Sequence, residues 1–335
     1  MAMSGRGAHS APPLAPASEA PAFSAQTRLL VVVPHPDDET IATGLLIQQV
    51  RAAGGEVRIV LLTEGDNNPW PQRWLERRVR IRAADRQRWG RRRHAEMLQA
   101  LACLGVPAAA LQSLGWADLG LTDTLLQSRS PSVAALAAAI DQFDPSLVVA
   151  PALADRHPDH AAAHVLVRLA LAERAEPPPL LNYLVHGRSG DGEVFEVHGT
   201  AQQVACKRAA LAEHRSQMAL SGRRMLRLAA RPERHARPSM PLGRLPWRPP
   251  FWLRPWLRLS VVDEAGARSW RWGDAPLRRD PAGGLHLSMP AATEGTPCFV
   301  RLALTLRSPW IFDHWGWCEL SGRVDDSGPA LAPTV

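Results

Sequence analysis

No stretch of the 335-residue chain reaches about 18 consecutive apolar residues, so no segment reads as a membrane-spanning helix. Cysteine is scarce. Cys103, Cys206, Cys298 and Cys318 are scattered without a CxxC pair, which excludes a disulfide scaffold and suits free thiols in a reducing compartment. Tyrosine occurs once, at Tyr183, and every basic residue except Lys207 is arginine. Residues 1–28 are rich in Ala, Pro and Ser and have no apolar core, so they read as a disordered extension rather than a secretory signal. The expected location is the cytoplasm, or at most the inner face of a membrane. Gly-rich phosphate loops, Ser/His/Asp triads and cysteine nucleophiles find no support.

What is present is globular: 46% hydrophobic and 21% charged residues leave room for one large domain or two ordinary ones. The net charge of +7 is uneven, with ten arginines between Arg73 and Arg93. Such a cluster suits nucleic acid, an anionic lipid or a phosphorylated ligand, and equally a solvated helix face. Trp74 and Trp89 lie among these arginines, but no recognised nucleic-acid module accompanies them, so nucleic acid is not an expected partner.

LLVVV at 29–33 has the continuous apolar character of a strand buried on both faces. A helix over 37–53, stopped by Gly54-Gly55, and a strand over 57–63 complete a βαβ unit. A long Arg-rich helix is predicted over 77–104, with Met97, Leu98, Leu101 and Leu104 on its core face. Further strands are predicted at 111–116 and 146–151, and Tyr183 falls on another near 180–186. Helices are predicted over 131–143, 159–173 and 201–220. The alternation predicts a Rossmann-like, doubly wound, mostly parallel α/β sheet over 29–220. A Pro/Arg/Trp-rich linker over 221–256, a small β-rich unit over 257–320 and a loose tail over 321–335 follow.

Two motifs stand beyond the carboxyl ends of predicted strands, where open parallel sheets bind ligands. Pro34-His35-Pro36-Asp37-Asp38-Glu39 follows the first strand, and His157-Pro158-Asp159-His160 follows the strand ending at Pro151. His35, Asp38 and His160 supply the N/O donor set of a catalytic zinc with a position left for water, whose pKa the metal lowers to about 7. Successive helix positions differ by about 100°, so Asp37 and Asp38 diverge and one is free to take a proton. Each piece alone has a plainer reading, Asp37 as a helix cap and His35 as a satisfied polar residue. Four specified residues such as HPDH arise by chance only on the order of once in several hundred chains of this length.

With these motifs the sequence resembles the zinc-dependent N-acetylglucosaminyl deacetylases that include the phosphatidylinositol glycan deacetylase and the LmbE-like proteins. The resemblance runs from about Leu29 to Gln217. It rests on PHPDDE, on Arg93-x-x-Glu96 followed by Leu104-Gly105, and on HPDH, with weaker support from Thr63 to Gly65, Leu114-Gly115 with Asp118, and His214-x-Ser216-Gln217. It implies His35, Asp38 and His160 as ligands of zinc, or of Fe2+ or another divalent metal, and Asp37 as general base. It further implies His157 as the group that stabilises the oxyanion and protonates the leaving amine, with Asp159 orienting it. Arg93 is implied to hold the aglycone, often an inositol or a phosphate, and Asp118 to touch sugar hydroxyls. Some relatives carry a tyrosine just before HPDH, whereas Asp155 and Arg156 stand there in this chain. The implied reaction removes the N-acetyl group from an N-acetylglucosamine-type conjugate, possible carriers being a lipid or an inositol.

A zinc amidase of the same fold acting on another N-acyl group or a thiol conjugate satisfies the same motifs. A non-catalytic sugar- or lipid-binding protein is the rival of another class. LPWRPPFWLRPW, with Trp247, Trp252 and Trp256, has two readings: a peripheral membrane anchor over 246–258, or a linker packing its tryptophans on the protein.

Overall fold

A computed structural model describes residues 22–187, 194–288, 296–305 and 312–321; the expected N-terminal extension up to residue 21 and the tail beyond 321 lie outside them. The elements of the first part are β1 (Arg28–Val33), α1 (Asp38–Ala52), β2 (Glu56–Thr63), α2 (Pro69–Glu76), α3 (Ala83–Cys103), β3 (Leu111–Trp116), α4 (Leu121–Gln127), α5 (Arg129–Phe143) and β4 (Leu147–Pro151). They continue with α6 (Pro158–Ala172), β5 (Leu180–Tyr183), β6 (Val194–Val197), α7 (Ala201–Glu213), α8 (Arg215–Ala229) and β7 (Glu233–Ala236).

Successive side chains of β1 point to opposite faces of the sheet, and both faces are covered. Leu29, Val31 and Val33 pack with Leu46 and Ile47 of α1 and Met97 and Leu101 of α3. Leu30 and Val32 pack with Leu136 and Ile140 of α5 and Val165 and Leu166 of α6. The seven strands run in the order β3-β2-β1-β4-β5-β7-β6, parallel from β3 to β5 and antiparallel at β7 and β6. The chain winds outward from β1 to β3 and returns on the other side to β4. The crevice above the carboxyl ends of β1 and β4 is therefore a topological switch point.

The chain departs from the sequence expectations in several places, among them the helix expected over 201–220, which is broken at His214 into α7 and α8. The helix expected over 77–104 is α3, which begins only at Ala83: Arg77, with a left-handed φ of 52°, closes the separate helix α2, and at the start of α3 the Asp85 carboxylate accepts the Arg82 N–H at 3.0 Å. The α/β unit also runs past 220 into the expected linker, through α8 to β7. Glu233 of β7 explains why, because its buried carboxylate accepts the backbone N–H groups of Leu45 and Leu46 and pairs at 2.5 Å with Lys207. No hydrophobic periodicity announces a four-residue strand with the sequence ERHA.

The remaining elements are β8 (Leu257–Asp263), β9 (Gly266–Arg271), β10 (Leu277–Arg279), β11 (Leu285–Leu287), β12 (Cys298–Leu304) and β13 (Gly316–Leu320). They form an antiparallel sheet β13-β12-β8-β9 and the hairpin β10-β11. Val262, Phe299 and Trp317 of this sheet join the α5/α6 side of the main core. Its other face builds a separate core from Leu257, Leu259, Val261, Val300 and Leu302, into which Trp247 packs. Arg168 of α6 holds Glu319 of β13 through two hydrogen bonds of 2.7 and 2.8 Å, a bidentate pair that fixes the unit's orientation. Trp252 and Trp256, unlike Trp247, remain exposed. No helix among the described residues is long and apolar enough to cross a membrane.

Candidate metal centre and active site

The loops after β1 and β4 meet at the switch point. Asp38 opens α1 and His160 lies in the first turn of α6, and each is buried. Asp38 Oδ2 is 3.3 Å from His35 Nδ1 and 3.2 Å from His160 Nε2. The far nitrogens of both rings are fixed by other carboxylates. His35 Nε2 lies 3.2 Å from Asp118 Oδ1 and 3.3 Å from Asp159 Oδ2, while His160 Nδ1 lies 3.1 Å from Asp155 Oδ2. A ring nitrogen that donates its proton outward leaves the opposite lone pair free for a metal. The buried Nε2 of His160 makes no hydrogen bond of its own.

Asp38 stands from each histidine at the spacing of a tetrahedral divalent ion, while among the described residues the groups whose ligand atoms all lie within 4.8 Å of one another are His35–His157–His160, Asp38–His160–His186 and His35–Asp118–Asp159. Bonds of about 2.0–2.1 Å place ligand atoms about 3.3 Å apart along a tetrahedral edge, and the two separations to Asp38 match that edge. His157 and His186 crowd the same point, with ring centroids 5.0 Å from that of His160 in each case. The cluster is highly polarised. Burial alone would lower His160, but Asp38 and Asp155 outweigh it and raise its pKa to about 10. His157 has no such carboxylate against it, and burial together with His35, His160 and His186 drives it far below the usual histidine value.

Asp37, though not a glycine, occupies a glycine-favoured backbone conformation with φ of 124°, a strain of roughly 1–3 kcal/mol that the surroundings must hold. Its N–H donates to Glu39 Oε2 at 3.0 Å, and Arg93 reaches both the Pro36 carbonyl at 2.6 Å and Asp37 Oδ2 at 3.4 Å. Burial raises the Asp37 carboxyl to about 6, with the Arg93 charge opposing. Arg93 also donates to the Gly65 carbonyl at 2.7 Å. Gly65 has φ of 62°, and a Cβ there would lie 1.8 Å from the guanidinium, so glycine is required for the arginine to reach the loop.

The weaker motifs are the frame of these loops. His214 Nε2 lies 3.0 Å from Glu39 Oε1. Glu96 accepts the Ser216 N–H at 3.1 Å and its hydroxyl at 2.6 Å, tying α3 to the start of α8. Arg93 and Asp118 line the cavity, yet most of their polar atoms are committed to the protein, Asp118 to His35 and to the Asn67 N–H at 2.6 Å, while the buried Nε of Arg93 makes no hydrogen bond. Asp159 does not orient His157 through its carboxylate, which instead faces His35 and the N–H groups of Leu119 and Leu121 at 2.7 and 3.1 Å. It is the Asp159 backbone N–H that reaches His157 Nδ1, at 3.3 Å, so His157 caps the helix that carries His160. Tyr183 is a core residue whose hydroxyl donates to the Val32 carbonyl at 3.0 Å.

Three contributors escape the sequence motifs. Asp155 accepts the N–H groups of Val185 and His186 at 3.0 Å each as well as holding His160. Its place two residues before HPDH was its only signal. His186 closes one side of a cavity of about 160 Å3 that also holds His35, Asp37, Asp38 and His157. Phe312, from the C-terminal unit, lies with its ring centroid 6.1 Å from His157 and 5.4 Å from His186. It is held there by the neighbouring Asp313, whose N–H donates to the Arg156 carbonyl at 2.9 Å and whose carboxylate pairs with Arg301 at 2.6 Å.

Comparison with known proteins adds to this geometry. The chain is 36% identical over 185 residues to a 1D-myo-inositol 2-acetamido-2-deoxy-alpha-D-glucopyranoside deacetylase of Mycobacterium sp. (strain KMS), covering 51% of this chain and 58% of that protein. A protein of the same name from Mycolicibacterium gilvum (strain PYR-GCK) is 36% identical over 171 residues, 47% of this chain and 59% of its own length. The chain thus spans less than two thirds of the length of these relatives. Among solved structures, a triple mutant of a deacetylase involved in the teicoplanin biosynthetic pathway has the same fold, with a TM-score of 0.51, 21% identity, and coverage of 63% of this chain and 97% of that one. Residues 30–171 match the family described as PIG-L: GlcNAc-PI de-N-acetylase. Both loops of the candidate site lie within that segment, which is similar to that family.

Proposed function

We propose that the protein is a metal-dependent hydrolase that removes the N-acetyl group from an N-acetylglucosamine-type amino-sugar conjugate, releasing acetate and the free amine. The observation that carries this reading is one carboxylate oxygen, Asp38 Oδ2, standing between a nitrogen of His35 and one of His160, with Asp37 and His157 on the walls of the same cavity. His35, Asp38 and His160 would hold zinc, or another divalent ion of similar preference such as Fe2+. Bound there, the metal would supply a Lewis acid that polarises the amide carbonyl and acidifies water.

The chain's own groups complete the reaction. Asp37, with its pKa raised to about 6, is ionised at neutral pH and still basic enough to take the proton of the attacking water. His157 accepts a hydrogen bond at Nδ1, so its neutral ring carries the proton on Nε2. That N–H donates to the carbonyl oxygen as negative charge develops, and the proton that Asp37 took from water is passed through the ring to nitrogen as the C–N bond breaks, so that His157 ends neutral and Asp37 ionised. The strained Asp37 backbone, clamped by Glu39 and Arg93, keeps the base positioned before substrate arrives.

The relatives named above are deacetylases of an inositol-linked amino sugar, which supports a conjugate of that kind as substrate. The arginine cluster needs no nucleic acid to explain it, since Arg78, Arg88 and Arg92 pair with Asp85, Glu76 and Glu96. Nor does a membrane anchor over 246–258 enter the reading, because Trp247 is spent in the core of the C-terminal unit. The test is acetate release from a panel of N-acetylglucosamine conjugates, before and after chelation and after restoring zinc or iron. Release that chelation abolishes and metal restores supports the reading. Release of other acyl groups in preference to acetate would favour the amidase alternative, and turnover unaffected by chelation would refute both.

A further inference from the structure

A second, larger cavity of about 970 Å3 lies between the β5–β7–β6 edge of the main sheet and the C-terminal unit. It meets the catalytic cavity at Ile41, Val185 and Leu228, which line both. Ile41 stands three residues after Asp38 and so lies on the same side of α1. The far wall is aromatic, built from Trp247 and Trp317, both buried, and the half-buried Trp315. At the mouth, Leu242 and Met240 are 41% and 85% exposed, more apolar surface than an unliganded rim requires. The carboxylates that border the cavity are already neutralised, Glu319 by Arg168 and Glu233 by Lys207. Its size is at the upper end of the range for pockets that bury most of a ligand, about 300–1,000 Å3.

We infer that this cavity is the aglycone subsite, and that it takes an uncharged apolar group, an alkyl chain or aromatic ring, attached to the amino sugar held in the catalytic cavity. The inference rests on the deacetylase reading for the placement of the sugar. Arg231, Arg234 and Arg237 also line the cavity but are exposed to solvent, so an occupant bearing a phosphate or carboxylate deep inside would meet only the paired charges of Glu319 with Arg168 and Glu233 with Lys207, whereas the tryptophans offer flat apolar surface. The residues come from α8, from the strand edge beside β5 and from the C-terminal unit, which gives that unit a role in choosing substrate that its distance from the motifs conceals.

The test compares methyl and hexyl glycosides. Binding of the methyl and hexyl 2-amino-2-deoxyglucosides to the metal-loaded full chain is measured by calorimetry, and hydrolysis of the corresponding 2-acetamido compounds by acetate release. Five buried methylene groups should tighten binding at least about tenfold, with a negative heat-capacity change. Leu242→Arg and Met240→Arg, both at the exposed mouth, should cut the hexyl advantage and leave the methyl glycoside unchanged. Equal affinity for the two glycosides, or an advantage that neither variant alters, would overturn the inference. Tighter, variant-sensitive hexyl binding without acetate release from either compound would keep the apolar glycoside subsite and remove the deacetylase reading instead.

Discussion

The two walls of the substrate space differ in kind. The wall built by the loops after β1 and β4 is a lattice of buried carboxylates and imidazoles in which nearly every polar atom has a stated partner. The wall built by α8, β13 and the segment around Trp247 is apolar and leaves a large cavity. Under the proposed function, reaction chemistry would restrict the first wall, because a metal and two proton-transfer groups tolerate displacements of only about half an ångström. The second wall has only to exclude water and fit an apolar shape, which many residue combinations achieve. The catalytic wall therefore carries motifs and the specificity wall does not.

If that contrast is right, changes on the polar wall should abolish activity and changes on the apolar wall should alter affinity. The largest effect is expected for His160→Ala, which should lose its metal and at least about a thousandfold in turnover, checked by elemental analysis and acetate release. Asp155→Ala should weaken metal affinity by about 10- to 100-fold, read by competition with a chelator, since it removes the carboxylate that orients His160.

The pH profile sharpens the same side of the comparison. Asp37 acts as a base only when ionised, and its pKa is raised to about 6. Turnover should therefore be full above that pH and fall about tenfold per unit below it. A profile flat down to pH 4 would remove Asp37 as the base. The smallest effect belongs to Phe312→Ala on the apolar side, where loss of the ring over His157 and His186 should raise KM by about three- to tenfold with little change in kcat.

The same contrast explains what the sequence disclosed. The buried parallel strands were legible because LLVVV and LVVAP are uninterrupted apolar runs, and the candidate site was legible because PHPDDE and HPDH place their side chains at strand ends. Asp155 and His186 were not, since Asp155 acts through ring and backbone contacts and His186 through ring contacts that no spacing encodes. β7 was hidden because its sequence ERHA is polar, and its place in the sheet is secured by Glu233 reaching α1 rather than by an apolar pattern. The break between α2 and α3 turned on one left-handed residue, Arg77, whose conformation arginine does not advertise. Phe312 lies 152 residues after His160 in sequence, and only the packing of the C-terminal sheet on α6 brings it to the site.

The central claim is that metal binding and proton transfer reside on adjacent residues, Asp38 for the first and Asp37 for the second. Asp37→Asn, assayed with a methyl N-acetylglucosaminide, tests it most directly when metal content is measured on the same preparation. The account predicts close to one equivalent of metal in both proteins and a loss of about two to four orders of magnitude in acetate release for the variant alone. A variant that keeps its rate, or one that loses its metal along with its rate, would contradict that division of labour.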